Sequence, residues 1–166
     1  MCSSLALKLQ AAPMELFDLT GKTCVITGSS KGIGRAMAER LAEHGANVAI
    51  SSRKAGPCQE VADTINARYP GRAIAAPANI SSKDDLQRLV DETRKVFGQI
   101  DVVICNAATN VHFGPLASVT DEAFRKTLDN NIIANHWLIQ MVAPEMIERR
   151  DGEVIIVSWI GGPRGS

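Results

Sequence analysis

The stretch Thr27-Gly28-Ser29-Ser30-Lys31-Gly32-Ile33-Gly34 decides the fold of this 166-residue chain. The short apolar run Thr23-Cys24-Val25-Ile26 precedes it, and a helical pattern follows it. A strand, a glycine-rich turn and a helix in this order hold phosphate groups, because the N-terminus of the helix presents free N–H groups and a positive dipole end. Three glycines let the backbone turn sharply and let a phosphate approach closely. The stretch therefore predicts a cradle for a nucleotide pyrophosphate.

The composition is that of an ordinary globular chain. Basic and acidic residues number 18 each, so the net charge of zero points to neither a nucleic-acid nor a membrane-surface partner. No apolar run approaches the roughly 20 residues that span a bilayer. The four cysteines show no Cys-x2-Cys spacing, and we expect no metal site. Cys24 and Cys105 lie in apolar runs, where a thiol behaves as a small apolar side chain. The cysteine pattern therefore favours a reducing cytoplasm as the compartment of the protein.

Apolar segments alternate with helical patterns along the chain. Because these segments are apolar on both faces, they predict a parallel sheet covered by helices on both sides. The expected fold is α/β and doubly wound, of the Rossmann type, with strand order 3-2-1-4-5. Strands are expected near 23–27, 47–51, 72–76, 101–105 and 153–158, and helices near 33–44, 57–68, 82–98 and 120–149.

Three segments are expected to depart from this regular alternation. Residues 1–13 read as a disordered extension, so that residues 14–166 form the nucleotide-binding domain. The loop 106–120 is long enough to predict a functional role, and its His112 reads as a polar loop residue. Pro144 should bend the long helix that begins at Thr120, or mark off its last part as a separate turn.

The end of the second strand indicates which dinucleotide would bind. A binder of NAD usually carries an acidic residue there, which accepts a hydrogen bond from the ribose 2′-hydroxyl. This chain has Ser51-Ser52-Arg53-Lys54 instead. The planar guanidinium of Arg53 suits a phosphate, and Lys31 can reach the same pocket. Together they favour NADP(H), although each taken alone could be an ordinary surface cation.

Three motifs resemble the short-chain dehydrogenase/reductase family. They are Thr27–Gly34, Asn106-Ala107-Ala108 after the fourth strand, and Asn131 in the following helix. The resemblance runs from Met14 to Ser166. It implies an NADP(H)-linked oxidoreductase that acts on a small-molecule alcohol or carbonyl substrate. It also implies a homo-oligomer, as is common in the family.

The resemblance also implies roles for individual residues. The glycine turn would surround the pyrophosphate and adenosine phosphate, Arg53 would hold the 2′-phosphate, and the third strand would end beside the adenine. The segment after the fourth strand would flank the cofactor ribose, and Asn131 would hold a water of the family's proton relay. The implied cofactor-binding residues are Gly28, Ser30, Lys31, Gly32, Ile33, Gly34, Arg53, Asn79, Ile80, Asn106, Ala107 and Ala108.

Two positions depart from the family pattern. Ala108 replaces the glycine of the usual Asn-Ala-Gly motif, which adds one methyl group beside the cofactor. Trp159 stands where the family has its catalytic serine, and an indole has no acceptor and cannot polarise a carbonyl as a hydroxyl does. The adjacent Ser158 would substitute only after a shift of strand register, because neighbours on a strand point to opposite faces.

The family's Tyr-x3-Lys pair is absent from the 166 residues. The one tyrosine, Tyr69, is followed by Ala73 at the lysine spacing. The family's last strand and helices are also lacking, so we expect cofactor binding without catalysis. Three interpretations remain open: an inactive truncated oxidoreductase, a dinucleotide-binding module or pseudoenzyme with a sensing or partner role, and a fragment of a longer enzyme. Bare apolar surface beside the fifth strand predicts self-association.

Overall fold

The computed structural model describes residues 17–158, so the predicted extension 1–13 and Trp159 lie outside the described residues. Five parallel strands form one sheet in the order β3-β2-β1-β4-β5, which confirms the predicted fold class. The strands are β1 Thr23–Thr27, β2 Asn47–Ser51, β3 Ala73–Ala75, β4 Val102–Cys105 and β5 Glu153–Ile156.

Helices connect the strands, and two of them begin at the predicted N-caps. The Ser82 hydroxyl accepts a hydrogen bond from the Asp85 N–H, and the Thr120 hydroxyl accepts one from the Ala123 N–H. Each bond satisfies a backbone donor that the first helical turn leaves free. The helices are α1 Gly32–Glu43, α2 Ala55–Arg68, α3 Lys83–Phe97, α4 Asp121–Leu128 and α5 Ala134–Arg149, with a π-helical turn, Asp129–Ile133, between the last two.

The sheet is covered on both faces because successive side chains of a strand point in opposite directions. On one face, buried strand residues pack against α3 and α5, in a cluster that includes Val25, Val103, Leu89, Leu138 and Val142. On the other face they pack against α1 and α2, in a cluster that includes Ile26, Ile50, Ala38, Ala42 and Val61. Burial of these apolar surfaces is the main stabilising contribution.

The expected single helix from 120 to 149 is wrong in one respect. The interruption falls at the π turn Asp129–Ile133, and Pro144 lies inside α5, which continues to Arg149. Proline removes one helical hydrogen bond, but buried residues on both sides of it, Leu138, Val142 and Met146, pack α5 against the core. Packing therefore keeps the helix continuous through the proline.

Some apolar residues of the predicted helical faces are exposed. Phe124, Leu128 and Ile132 point away from the core, as does Val96 near the end of α3. None of the described helices is both long and apolar enough to cross a bilayer.

The carboxyl ends of the parallel strands meet along one edge of the sheet. The connections from β1 and from β4 leave this edge on opposite sides. The reason is that β2 and β3 lie on one side of β1, whereas β4 and β5 lie on its other side. A crevice opens at such a reversal of strand order, and ligands of open α/β sheets bind there.

Candidate dinucleotide site

The floor of the crevice is a junction between the ends of β1 and β4. Asn106 donates from its side-chain amide to the Thr27 carbonyl at 2.9 Å. The Thr27 hydroxyl accepts from the backbone N–H groups of Asn106 and Ala107, both at 3.0 Å. These three bonds join two adjacent strands where their ladder ends. Asn106 thus ties the ends of β1 and β4 together.

The glycine turn passes close above this junction. A Cβ atom on Gly34 would lie 2.4 Å from the Gly28 carbonyl oxygen and 2.6 Å from the Asn106 amide nitrogen, which is closer than atoms can approach. Gly28 and Gly32 have φ angles of +69° and +57°, in the left-handed region that suits glycine. The turn therefore needs glycine at all three positions.

The N-terminus of α1 is open toward the crevice. Lys31 is its N-cap and makes no side-chain capping bond, and the first turn contains no acidic residue. Its N–H groups and dipole are thus available to an anion. Ser29, which sequence reasoning left out, is buried and accepts from the Ser51 N–H at 2.9 Å, so it fixes the turn to β2.

All twelve residues implied for the cofactor line one cleft of about 980 Å³. The cleft spans the glycine turn and the ends of β2, β3 and β4. Sequence reasoning missed the other residues that line the cleft. Some of them lie next to the implied residues in the sequence, and others come from α4 and the π turn. The missed residues are Ser52, Lys54, Pro57, Ala78, Ser81, Thr109, Val111, Lys126 and Asn130.

The charged residues that line the cleft are all basic. Lys31, Arg53, Lys54 and Lys126 line it, and the described lining residues include no carboxylate. None of these four cations forms an ion pair with another residue in the described range 17–158. Unpaired cations around an open helix N-terminus suit a ligand with several phosphate groups. Lys54 could have been found as the neighbour of Arg53, whereas no local signal marks Lys126.

The turn after β3 is held by Asp85. The Asp85 carboxylate accepts from the Asn79 N–H at 3.0 Å and from the Ser82 hydroxyl at 2.9 Å. These bonds, the first one most, lower the pKa of Asp85, and Arg88 adds to the effect. The ionised carboxylate thus fixes the backbone of Asn79 and Ile80 at the cleft wall.

Asn131 lies in the π turn and fixes the loop after β4. Its side-chain oxygen accepts from the Thr109 N–H at 2.8 Å, and its amide nitrogen donates to the Thr109 carbonyl at 3.0 Å. The Asn131 carbonyl accepts from the Asn135 side chain at 2.8 Å. The side chain of Asn131 is therefore a positioning group, and one acceptor site of its carbonyl is already used.

The described residues near the end of β5 offer little chemistry. Ser158, the last described residue, is exposed. Trp159 lies beyond it, outside the described residues. Cys105 ends β4, but burial raises the pKa of its thiol to about 11, so at neutral pH it remains protonated and is a poor nucleophile. In the region from Phe17 to Ser158, no cluster of three His, Cys, Asp or Glu side chains could hold a metal ion.

The family model described as short chain dehydrogenase matches residues 22–166. The chain belongs to the short chain dehydrogenase family. It is 40% and 39% identical over 145 residues to Dehydrogenase/reductase SDR family member 4 of Pongo abelii and of Homo sapiens. The match covers 86% of this chain and 51% of either relative. This short chain dehydrogenase thus spans about half the length of the curated relatives it matches.

Solved structures of the family share the fold. A 7α-hydroxysteroid dehydrogenase, complexed with NADH and 7-oxo glycochenodeoxycholic acid, has a TM-score of 0.84 and is 29% identical, over 90% of this chain and 58% of its own. An L-sorbose reductase of Gluconobacter frateurii, complexed with NADPH and L-sorbose, has a TM-score of 0.84 and is 26% identical, over 90% and 57%. The first of these structures is complexed with NADH and the second with NADPH.

The two hydrogen bonds between Asn131 and Thr109 form a clamp, which we expect to restrict the mobility of the loop after β4. Replacing Asn131→Ala removes both hydrogen bonds, each worth about 1 kcal/mol. We expect amide exchange at Thr109 to accelerate about tenfold or more in hydrogen-exchange mass spectrometry or NMR. Asn135→Ala is the control, because it removes a neighbouring side-chain bond but leaves the clamp. Equal exchange at Thr109 in wild type and Asn131→Ala would show that the clamp does not restrain the loop.

Proposed function

We propose that this short chain dehydrogenase binds NADP(H) in the cleft and prefers it to NAD(H). The supporting observation is the set of four unpaired cations, with no carboxylate among the described lining residues. NADP(H) carries a pyrophosphate and a 2′-phosphate, and the lining of the cleft includes groups suited to each. The glycine turn and the N-terminus of α1 suit the pyrophosphate, whereas the end of β2 carries Arg53 in place of an acidic residue.

The other proposed cofactor roles are those that the family resemblance implies, and the residues concerned line the cleft. Arg53 with Lys31 would hold the 2′-phosphate, and Asn79 with Ile80 would border the adenine. The segment Asn106-Ala107-Ala108 would flank the ribose, and the exposed position of Ala108 leaves room for its methyl group. When bound, the nicotinamide ring supplies or accepts a hydride. The chain contributes binding and orientation.

The cofactors named for the structural neighbours do not decide this preference, because one is NADH and the other NADPH. The choice must come from this chain's own residues at the end of β2. A carboxylate there would repel a 2′-phosphate and accept from a 2′-hydroxyl, and Arg53 does the reverse. Arg53 is therefore the residue on which the proposal depends most directly.

We further propose that the 166-residue chain binds cofactor without turnover, although its family are oxidoreductases of alcohols and carbonyls. The chain has no Tyr-x3-Lys pair, and Trp159 stands at the serine position. Loss of a general acid alone costs about 10²–10⁴ in rate. Trp159 also favours the second candidate, a dinucleotide-binding module with a sensing or partner role.

The buried free thiols Cys24, Cys58 and Cys105 suit a cytoplasmic location.

A fluorescence titration tests cofactor preference. Wild type should bind NADPH at least about tenfold more tightly than NADH, since a charge-assisted contact to a phosphate contributes about 1.5–3 kcal/mol. Arg53→Asp should abolish or reverse this preference, because the new carboxylate repels the 2′-phosphate. Arg68→Asp is a matched control, with the same charge change at the far end of α2, outside the cleft. An unchanged preference in Arg53→Asp would refute the assignment.

The same protein tests the proposed lack of turnover. With NADPH and a panel of aldehydes and ketones, we expect no carbonyl-dependent oxidation above the enzyme-free blank. Measurable oxidation by the purified chain would contradict this part of the proposal while leaving the binding assignment intact.

We also propose that the chain self-associates with a second copy. Val154, Ile155 and Ile156 on β5, the last strand of the described sheet, and Val157 directly after it are each more than one third exposed. An apolar strand with an unpaired edge is a template for further strand pairing. Sedimentation velocity should show dimers or larger species that decrease in Ile155→Lys. Val96→Lys, at an exposed apolar site on α3, should not change the distribution; a compact monomer in wild type would contradict the proposal.

A further inference from the structure

Asn130 is a buried amide in the wall of the cleft. It lies in the π turn, its residue surface is only 3% exposed, and it lines the cleft together with Ser81. Its Oδ1 atom accepts a hydrogen bond from the Ser81 hydroxyl at 2.6 Å. No residue between Phe17 and Ser158 accepts a hydrogen bond from its Nδ2 atom, and this nitrogen is not among the buried polar atoms that lack a partner. Nδ2 therefore keeps access to the cleft and can donate to a ligand there.

The hydrogen bond from Ser81 fixes the orientation of the Asn130 amide. Ser81 belongs to the turn after β3, where its N–H donates to the Asn79 side chain at 3.2 Å. Asn79 in turn donates its N–H to the Asp85 carboxylate. This chain of bonds places the Ser81 hydroxyl against Oδ1 of Asn130. Rotation of the amide would break that bond, so Nδ2 is held ready as a donor before any ligand arrives.

The same helical face carries a second group toward the ligand. Lys126 lies four residues before Asn130, about one helical turn, and also lines the cleft. A cation and an amide from α4 and the π turn therefore line the same cleft as the cations of the glycine turn and of the segment after β2. This part of the cleft has the chemistry of a nucleotide-binding surface.

Asn130 lies at the end of the cleft that would receive the adenosine half of the cofactor. Its partner Ser81 follows β3, the edge strand on the β2 side, whereas Asn106 and Ala107 follow β4. Arg53, at the end of β2, lies between them in strand order. If the 2′-phosphate binds at Arg53, the adenine lies toward β3. The adenine ring nitrogens N1, N3 and N7 are acceptors that a fixed amide donor would match.

We propose that Asn130, oriented by Ser81, donates a hydrogen bond from Nδ2 to a ring nitrogen of the adenine and so contributes to base selection. This proposal rests on the proposed function and adds a specificity-determining residue to it. A neutral hydrogen bond of this kind contributes about fivefold to affinity. Ser81→Ala leaves the amide free to rotate and should cost about twofold to threefold.

The test uses adenosine 2′,5′-bisphosphate and its 1-deaza, 3-deaza and 7-deaza analogues, titrated by calorimetry. In wild type, at least one analogue should bind about fivefold more weakly than the parent, because a C–H replaces the accepting nitrogen. In Asn130→Leu, which keeps a similar volume but has no donor, the parent should lose about the same factor. The affected analogue should then bind as well as the parent.

Two further variants complete the test. Asn110→Leu makes the same substitution in the loop after β4, outside the cleft lining, and should bind like wild type. Asn130→Asp keeps the shape and the acceptor for Ser81 but lacks the amide donor, so it replaces Asn130→Leu if that variant is misfolded by circular dichroism. In Asn130→Asp the affected analogue and the parent should also bind equally.

Two failures are distinguishable. If wild type binds neither NADPH nor adenosine 2′,5′-bisphosphate, the proposed function fails. If wild type binds both, but the deaza losses persist in the Asn130 variants or are absent in wild type, the role of Asn130 alone is overturned.

Discussion

The hydrogen bonds between Thr27 and Asn106 are the contact on which the rest of the site depends. They join the ends of β1 and β4 at the point where the strand order reverses. The glycine turn lies directly above them, so close that a methyl group on Gly34 would overlap both the Gly28 carbonyl and the Asn106 amide. This packing sets where α1 begins and therefore where its free N–H groups point. None of the described residues that line the crevice comes from β5.

Around that junction, each strand end contributes one part of the cleft. β2 is followed by Arg53 and β3 by a turn that Asp85 holds in place. The loop after β4 is held by Asn131, whose side chain makes one accepted and one donated hydrogen bond to Thr109. The described residues that line the cleft lie between Gly28 and Asn130, whereas the position that resembles the family's serine is Trp159. In the proposed function, binding and chemistry are therefore assigned to different parts of the chain.

The glycine spacing and the apolar strand segments were enough to predict the sheet order and a phosphate cradle, whereas the family resemblance implied the twelve residues that line the cleft. These signals are local, because each depends on a few adjacent residues. The π turn could not be predicted in the same way, since Asn131 makes its bonds to Thr109, 22 residues away. Without the π turn, Lys126 of α4 and Asn130 of the π turn itself could not be assigned to the cleft.

The apolar residues Ile33, Met37 and Leu41 recur at helical spacing, but the buried residues of α1 are Gly34, Ala38 and Ala42. Small residues let α1 pack close against the sheet, and the larger side chains then lie at the margins of the contact. An apolar pattern indicates that a helix is present, while the space available in the tertiary structure decides which residues it buries.

The most direct measurement of the central claim is hydrogen exchange of the wild-type chain with saturating NADPH, and with NADH at the same concentration. If the junction of β1 and β4 forms a cradle for NADP(H), NADPH should slow exchange at residues 28–34 and 106–109, and NADH should slow it much less. Unchanged exchange in both segments, or equal protection by the two cofactors, would contradict the account.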